Sequence, residues 1–149
     1  MKYFSKIIKK LISKKISISV AESCTGGLLS SKFTSFSNIS KVFNVGLIVY
    51  SNKAKIKILN IPKNLIKING AVSEEVAKEM LNQLYRKTKS KLCISTTGIA
   101  GPSGGTKKKP VGLVYFGIKF KKKNIIIQKK YNGNRKSIQN KTVNDIFKE

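Results

Sequence analysis

Ile16-Ser17-Ile18-Ser19-Val20-Ala21 leads without a break into Glu22-Ser23-Cys24-Thr25-Gly26-Gly27, and then into Leu28-Leu29-Ser30-Ser31-Lys32-Phe33. The apolar run from Ile16 to Ala21 predicts a short buried strand. The hydroxyl, thiol and glycine pair predict a turn, and Leu28, Leu29 and Phe33 continue as a helix. Strand, glycine turn and helix in that order make an α/β unit. Its turn lies at the carboxyl end of a strand, where open α/β sheets bind their ligands.

The same alternation continues outward. Before this unit, Tyr3, Phe4, Ile7, Ile8, Leu11 and Ile12 recur at helical spacing, which predicts an amphipathic helix over about 2–14. After it, Val45 to Tyr50 reads as a strand and Asn52 to Leu59 as a short helix, while Pro62 and Gly70 mark Asn60 to Ala71 as irregular. Ser73 is a good N-cap, and Glu74 and Glu75 suit the positive end of a helix running to about Lys89, with Val76, Met80 and Leu84 inward. Leu92 to Thr96 is the next strand, followed by a glycine-rich loop from Thr97 to Thr106. Val111 to Phe120 and Ile125 to Tyr131 form an antiparallel hairpin around Lys122-Lys123-Asn124, and about 135–148 is a closing helix. The whole predicts a single α/β domain over 1–149, a three-layer α/β/α sandwich around a mixed β-sheet.

Composition narrows the chemistry. The chain of 149 residues holds no histidine, 31 Lys and Arg against 6 Asp and Glu, and a formal charge of +25. Without histidine, Ser-His-Asp and Cys-His catalysis are excluded, and a serine nucleophile has to borrow lysine as its base. No metal-ligand cluster can be assembled convincingly, so no metal and no cofactor is expected. Only Arg86 and Arg135 are arginines, and the lysines are spread from Lys2 to Lys148 among many Ile and Asn. That is a drifted solvated surface rather than an arginine-aromatic stripe, and it predicts only non-specific, salt-sensitive adhesion to nucleic acid. No apolar stretch is long enough to span a bilayer, and Lys9, Lys10, Lys14 and Lys15 interrupt the N-terminal apolar residues, so a cytoplasmic protein without membrane association is expected. Cys24 and Cys93 lie far apart in apolar contexts without metal spacing.

Three polar or glycine-bearing segments follow predicted strands and can converge on one face: 22–27, 50–55 and 97–106. Ser23 stands before a helix start, where N–H groups and the helix dipole favour negative charge; a simple capping role fits the same position equally well. Lys55 follows Tyr50-Ser51-Asn52-Lys53-Ala54, and a lysine held in a partly buried site loses proton affinity by desolvation. In a chain this basic, a solvated lysine is the commoner alternative. The long loop, with Gly98, Gly101, Gly104 and Gly105, offers backbone N–H groups to an anion. It carries neither the P-loop nor the dinucleotide-binding pattern.

Taken together, Ala21-Glu22-Ser23-Cys24-Thr25-Gly26-Gly27, Tyr50-Ser51-Asn52-Lys53-Ala54-Lys55, Gly70-Ala71-Val72-Ser73, Thr97-Gly98-Ile99-Ala100-Gly101-Pro102 with Gly104-Gly105-Thr106, and Lys109-Pro110-Val111-Gly112 resemble the CinA C-terminal-domain family, in order, from about residue 3 to 147. The family includes nicotinamide-nucleotide amidohydrolases. The resemblance implies metal-free hydrolysis of nicotinamide mononucleotide to nicotinate mononucleotide and ammonia, feeding pyridine nucleotide back towards NAD. It implies Ser23 as nucleophile, Lys55 as general base and Tyr50 hydrogen-bonded nearby as a proton relay. The N–H groups after Ser23 would form the oxyanion hole. Thr25, Gly26, Gly27, Thr97, Gly98, Gly101, Gly104, Gly105 and Arg135 would line the substrate site, Arg135 facing the phosphate or orienting a catalytic group. A homo-oligomer is expected, in the stand-alone form that lacks the N-terminal domain of larger relatives. Asn134 stands where the family usually has aspartate, Gln139 where arginine is common, and Lys53 where glutamate is frequent. The competing readings are a non-catalytic basic protein associated with nucleic acid or with competence and damage responses, and a family member that keeps the fold without turnover.

Overall fold

The computed structural model of the chain describes residues 2–149. Its elements are α1 (Lys2–Ser13), β1 (Ile18–Glu22), α2 (Leu28–Thr34), a 3-10 turn (Ile39–Lys41), β2 (Phe43–Ile48), α3 (Asn52–Leu59), α4 (Lys63–Asn69), α5 (Glu74–Thr88), β3 (Leu92–Gly98), β4 (Leu113–Phe120), β5 (Lys123–Lys130) and α6 (Arg135–Ile146). The five strands form one sheet in the order β2-β1-β3-β4-β5. β1 runs parallel to β2 and β3, while β3, β4 and β5 are antiparallel in succession. The sheet is therefore mixed, as the alternating strands and helices followed by a hairpin require.

Side-chain alternation along β1 explains the layers. Ile18 and Val20 enter a core with Ile8 and Leu11 of α1, Leu29 and Phe33 of α2, and Val143 and Ile146 of α6. Ala21 points the other way, into a core with Leu59 of α3, Ile66 of α4, and Val76, Met80 and Leu84 of α5. Helices thus cover both faces of the sheet. Ser73 caps α5 by accepting from the Val76 N–H, with Glu74 and Glu75 in the first turn. None of the described helices is long and apolar enough to cross a membrane.

Most strand ends shift by one or two residues from the sequence reading, β1 for example running Ile18–Glu22 and β4 starting at Leu113. Three further differences concern a helix, the strand before Tyr50 and the hairpin turn. The stretch Asn60 to Ala71 is not irregular throughout but holds α4, between Pro62 at φ −58° and Gly70 at φ 75°. Pro62 and Gly70 bound this helix instead of breaking it, because proline's fixed φ suits a helix start and glycine tolerates the turn that ends one. β2 begins at Phe43 and stops at Ile48, so Tyr50 lies beyond the strand. The hairpin turns at Lys121 and Lys122, with Lys121 at φ 57°, one residue ahead of the predicted position.

The topology sets the site. β1 and β3 lie side by side and parallel, with Glu22 opposite Thr96, so Ser23 and Thr97 emerge together at their carboxyl ends. Val49 joins them by donating its N–H to the Glu22 carbonyl at 2.8 Å.

Candidate active site

Ser51 starts α3 by accepting from the Ala54 N–H at 3.0 Å, which places Lys55 in the first turn. The Lys55 side chain runs inward and is only 2 % exposed. Its Nζ lies 2.9 Å from Ser23 Oγ, 3.0 Å from the Val49 carbonyl oxygen and 3.1 Å from that of Tyr50. Carbonyl oxygens only accept, so they claim two of the nitrogen's hydrogens. The remaining direction faces Ser23 Oγ. When Lys55 is neutral, its lone pair therefore points at the serine hydroxyl. Burial lowers the Lys55 pKa from 10.5 to about 8, against a smaller opposing pull from Cys24. Burial also pushes the neighbouring Cys24 thiol up to about 12, which keeps it protonated beside the serine.

The Ser23 turn is held from below by Glu22, whose side chain is fully buried. Glu22 Oε2 accepts from Thr25 Oγ1 at 2.7 Å and from the Gly27 and Leu29 N–H groups at 3.0 Å each. Oε1 accepts from the Ser30 N–H at 2.7 Å and from Ser30 Oγ at 2.6 Å. The sequence reading quoted Glu22 in its motif and assigned it no role. A single acidic residue at the end of an otherwise uncharged strand, in a chain with six acids, was the available signal. Helix α2 begins only at Leu28, so Ser23 is not its cap; Glu22 caps it, and Ser23 is left for other use.

A cleft of about 170 Å³ opens over the pair, lined among others by Ser23, Cys24, Tyr50, Lys55, Thr97 and Arg135. Gly98 and Ala100 line it too, together with Ala71 and Val72 from the segment before α5. The Thr97 hydroxyl donates to the Ala71 carbonyl at 2.8 Å, and Lys109 reaches from the glycine loop to the carbonyls of Asn69 and Val72. The segments 22–27, 50–55 and 97–106 do converge. A larger hollow of about 640 Å³ between α1 and α2 is lined by Ser5, Lys6, Lys9, Lys32 and Ser35 among others, but no lysine nitrogen meets a serine hydroxyl there among the described residues.

Other candidate residues sit differently from the sequence reading. Tyr50 is 54 % exposed, and its hydroxyl accepts from Arg135 instead of meeting Ser23 or Lys55; only its carbonyl touches the lysine. Arg135 also donates to the Gly101 carbonyl at 2.7 Å and so spans the mouth of the cleft. Thr25 is buried and turned towards Glu22 and Thr96. Thr25, Gly26 and Gly27 line a neighbouring groove against α6, and Gly104 and Gly105 lie on the exposed part of the loop, away from the pair. Asn134 performs the capping expected of an aspartate, its side chain accepting from the Ser137 N–H at 2.9 Å. Gln139 donates from Nε2 to the Cys24 carbonyl at 2.8 Å, a contact with the nucleophile turn that the sequence reading missed.

Comparison with known proteins bears on the family and the fold. The family model for the CinA C-terminal domain matches residues 2–149. A protein of Caldanaerobacter subterraneus carried under the name competence-damage inducible protein is 46% identical over 141 residues, covering 95% of this chain and 34% of its own length. One of Clostridioides difficile is 44% identical over 143 residues, 96% of this chain and 34% of its own. The chain thus spans about a third of the length of the curated relatives it matches. Among solved structures, the competence/damage inducible protein of Agrobacterium tumefaciens superposes with a TM-score of 0.95 at 31% identity, covering 99% of this chain and 90% of that one. A CinA superfamily protein of Escherichia coli gives 0.92 at 29%, covering 98% and 85%. Fold, motifs and matches along the whole described length agree, and the chain belongs to the CinA C-terminal domain family.

Proposed function

We propose that this chain hydrolyses the carboxamide of nicotinamide mononucleotide, giving nicotinate mononucleotide and ammonia, with Ser23 as nucleophile and Lys55 as base. One observation carries the chemistry: a buried lysine whose nitrogen is fixed by two carbonyls and aimed at a serine hydroxyl 2.9 Å away. The choice of substrate rests on the family resemblance.

In this reading neutral Lys55 takes the Ser23 proton as Oγ attacks the carboxamide carbon. The oxyanion needs preorganised donors. In the turn, Gly26 N–H is taken by the Ser23 carbonyl and Gly27 N–H by Glu22, while Thr25 N–H has no acceptor among the described residues and Cys24 N–H meets only its own thiol. Those two are the donors available. Protonated Lys55 then returns its proton to the amide nitrogen, the C–N bond breaks and ammonia leaves an acyl-serine. Water, deprotonated by the same lysine, adds to the acyl carbon, and the Ser23 oxygen leaves with the proton. Arg135, at the cleft mouth, suits the substrate phosphate, with Tyr50 orienting its guanidinium.

The test is ammonia release from nicotinamide mononucleotide by the purified protein. Release is expected, and Ser23→Ala should abolish it. A well-folded protein that releases none would sink the reading.

A further inference from the structure

Resting on the serine-lysine reading above, the geometry points to Glu22 as the positioning residue of the nucleophile turn: through one directional hydrogen-bond chain and three backbone contacts it holds Ser23 and keeps the Cys24 and Thr25 N–H groups free to receive the oxyanion.

The direction of the chain follows from the chemistry of its end. A carboxylate only accepts. The single Thr25 hydroxyl proton goes to Glu22 Oε2 at 2.7 Å, so the contact between Thr25 Oγ1 and Thr96 Oγ1 at 2.9 Å has Thr96 as donor. Thr96 Oγ1 then has its proton committed and accepts from the Ser23 N–H at 3.4 Å, a second acceptor for an N–H that also reaches the Thr96 carbonyl at 3.1 Å. Every proton from Ser23 N–H to Glu22 thus has one orientation. Thr25 and Thr96 are both almost wholly buried, so water does not compete for these bonds.

The same carboxylate also removes the competing donors. Gly27, Leu29 and Ser30 N–H groups all end on it. Without that sink, the turn would have to relax to satisfy them, and Cys24 and Thr25 lie within the segment that would move. A glutamine at position 22 cannot substitute. Its amide nitrogen would have to face either the Ser30 N–H or the Gly27 and Leu29 N–H groups, and each arrangement sets donor against donor. Glu22 touches no reacting atom; it acts through the turn.

This predicts a loss of transition-state stabilisation that leaves the base untouched. The ester p-nitrophenyl acetate separates the two. Its acyl carbon takes the Ser23 oxygen, p-nitrophenolate leaves, the serine proton passes to Lys55, and acetyl-Ser23 is identified by mass spectrometry. Glu22→Gln should slow this acylation by about 10²- to 10³-fold, the cost of one impaired oxyanion donor. The midpoint of the acid limb should stay where wild type has it, because Glu22 acts through the turn and not on Lys55. Thr25→Val, which cuts the chain while keeping the side-chain shape, should slow acylation in the same way, and it serves if Glu22→Gln does not fold. Acylation at the wild-type rate in a folded variant, or a slow rate with a displaced midpoint, overturns the proposal. Wild type that takes the acetyl group yet leaves nicotinamide mononucleotide intact would remove the substrate reading and leave the role of Glu22 standing. Wild type inert to both the ester and nicotinamide mononucleotide removes both.

Discussion

At the residue scale, Lys55 determines most of what can be measured. Burial stabilises its neutral form, and the drop from 10.5 to about 8 corresponds to roughly 3 kcal/mol of native-state cost at neutral pH. If the neutral form is the base, kcat/KM should climb about tenfold per pH unit below 8 and level off above it, measured with nicotinamide mononucleotide across pH 5.5–9.5. A flat profile would remove Lys55 as base. Lys55→Arg should lose on the order of 10²- to 10⁴-fold in rate with its fold intact, since a guanidinium keeps its proton. Stability provides an independent check. Below pH 8 both native and unfolded lysine are protonated and the cost is complete; between 8 and 10.5 the native lysine is neutral while the unfolded one still binds a proton, so the cost fades. The stability difference between Lys55→Met and wild type should therefore shift by about 3 kcal/mol in favour of wild type over that window, read from urea unfolding.

At the element scale, the site depends on where strands stop and helices start. The Asn134 cap begins α6, the helix that carries both Arg135 and Gln139 to the cleft. Asn134→Ala should cost about 0.5–2 kcal/mol in thermal or urea unfolding, while Asn134→Asp should keep the cap and add a favourable charge at the helix start. The departure from the family's usual aspartate is thus structurally mild. Gly27 is less forgiving. It stands at φ +99°, and an added Cβ would meet Ile48 Cδ1 at 3.0 Å, so Gly27→Ala strains the turn beside Glu22. Helices α1, α2, α3, α5 and α6 were legible because apolar spacing and caps are local signals. The boundaries of β2 and the whole of α4 were not. Pro62 and Gly70 have the same local chemistry whether they break a chain or bound a short helix, and only burial of Ile66 against α5 decides between them.

At the scale of the whole molecule, charge and topology have separate consequences. The six acidic residues are few enough that only two ion pairs, Arg86 with Glu79 and Lys148 with Asp145, occur among the described residues. With +25 charges otherwise repelling one another, the melting temperature should rise as sodium chloride is added from low ionic strength, while affinity for DNA of any sequence falls steeply. Sequence-specific binding that survives salt would contradict the reading of a diffuse lysine surface. The order of strands and helices, the missing histidine and the three segments that follow strands are properties of the chain as written, because composition and periodicity are local. They brought Ser23 and Lys55 forward as candidates, and the family resemblance supplied the roles proposed for them. That Tyr50 turns to Arg135, that Thr25 faces inward, and that Glu22 rather than Ser23 holds the helix start were decided only when β1 and β3 paired in parallel and α6 closed over their ends. Side-chain direction at the end of a strand depends on which distant donors and acceptors come within 3 Å, and those partners are set by packing between segments that are far apart in the sequence.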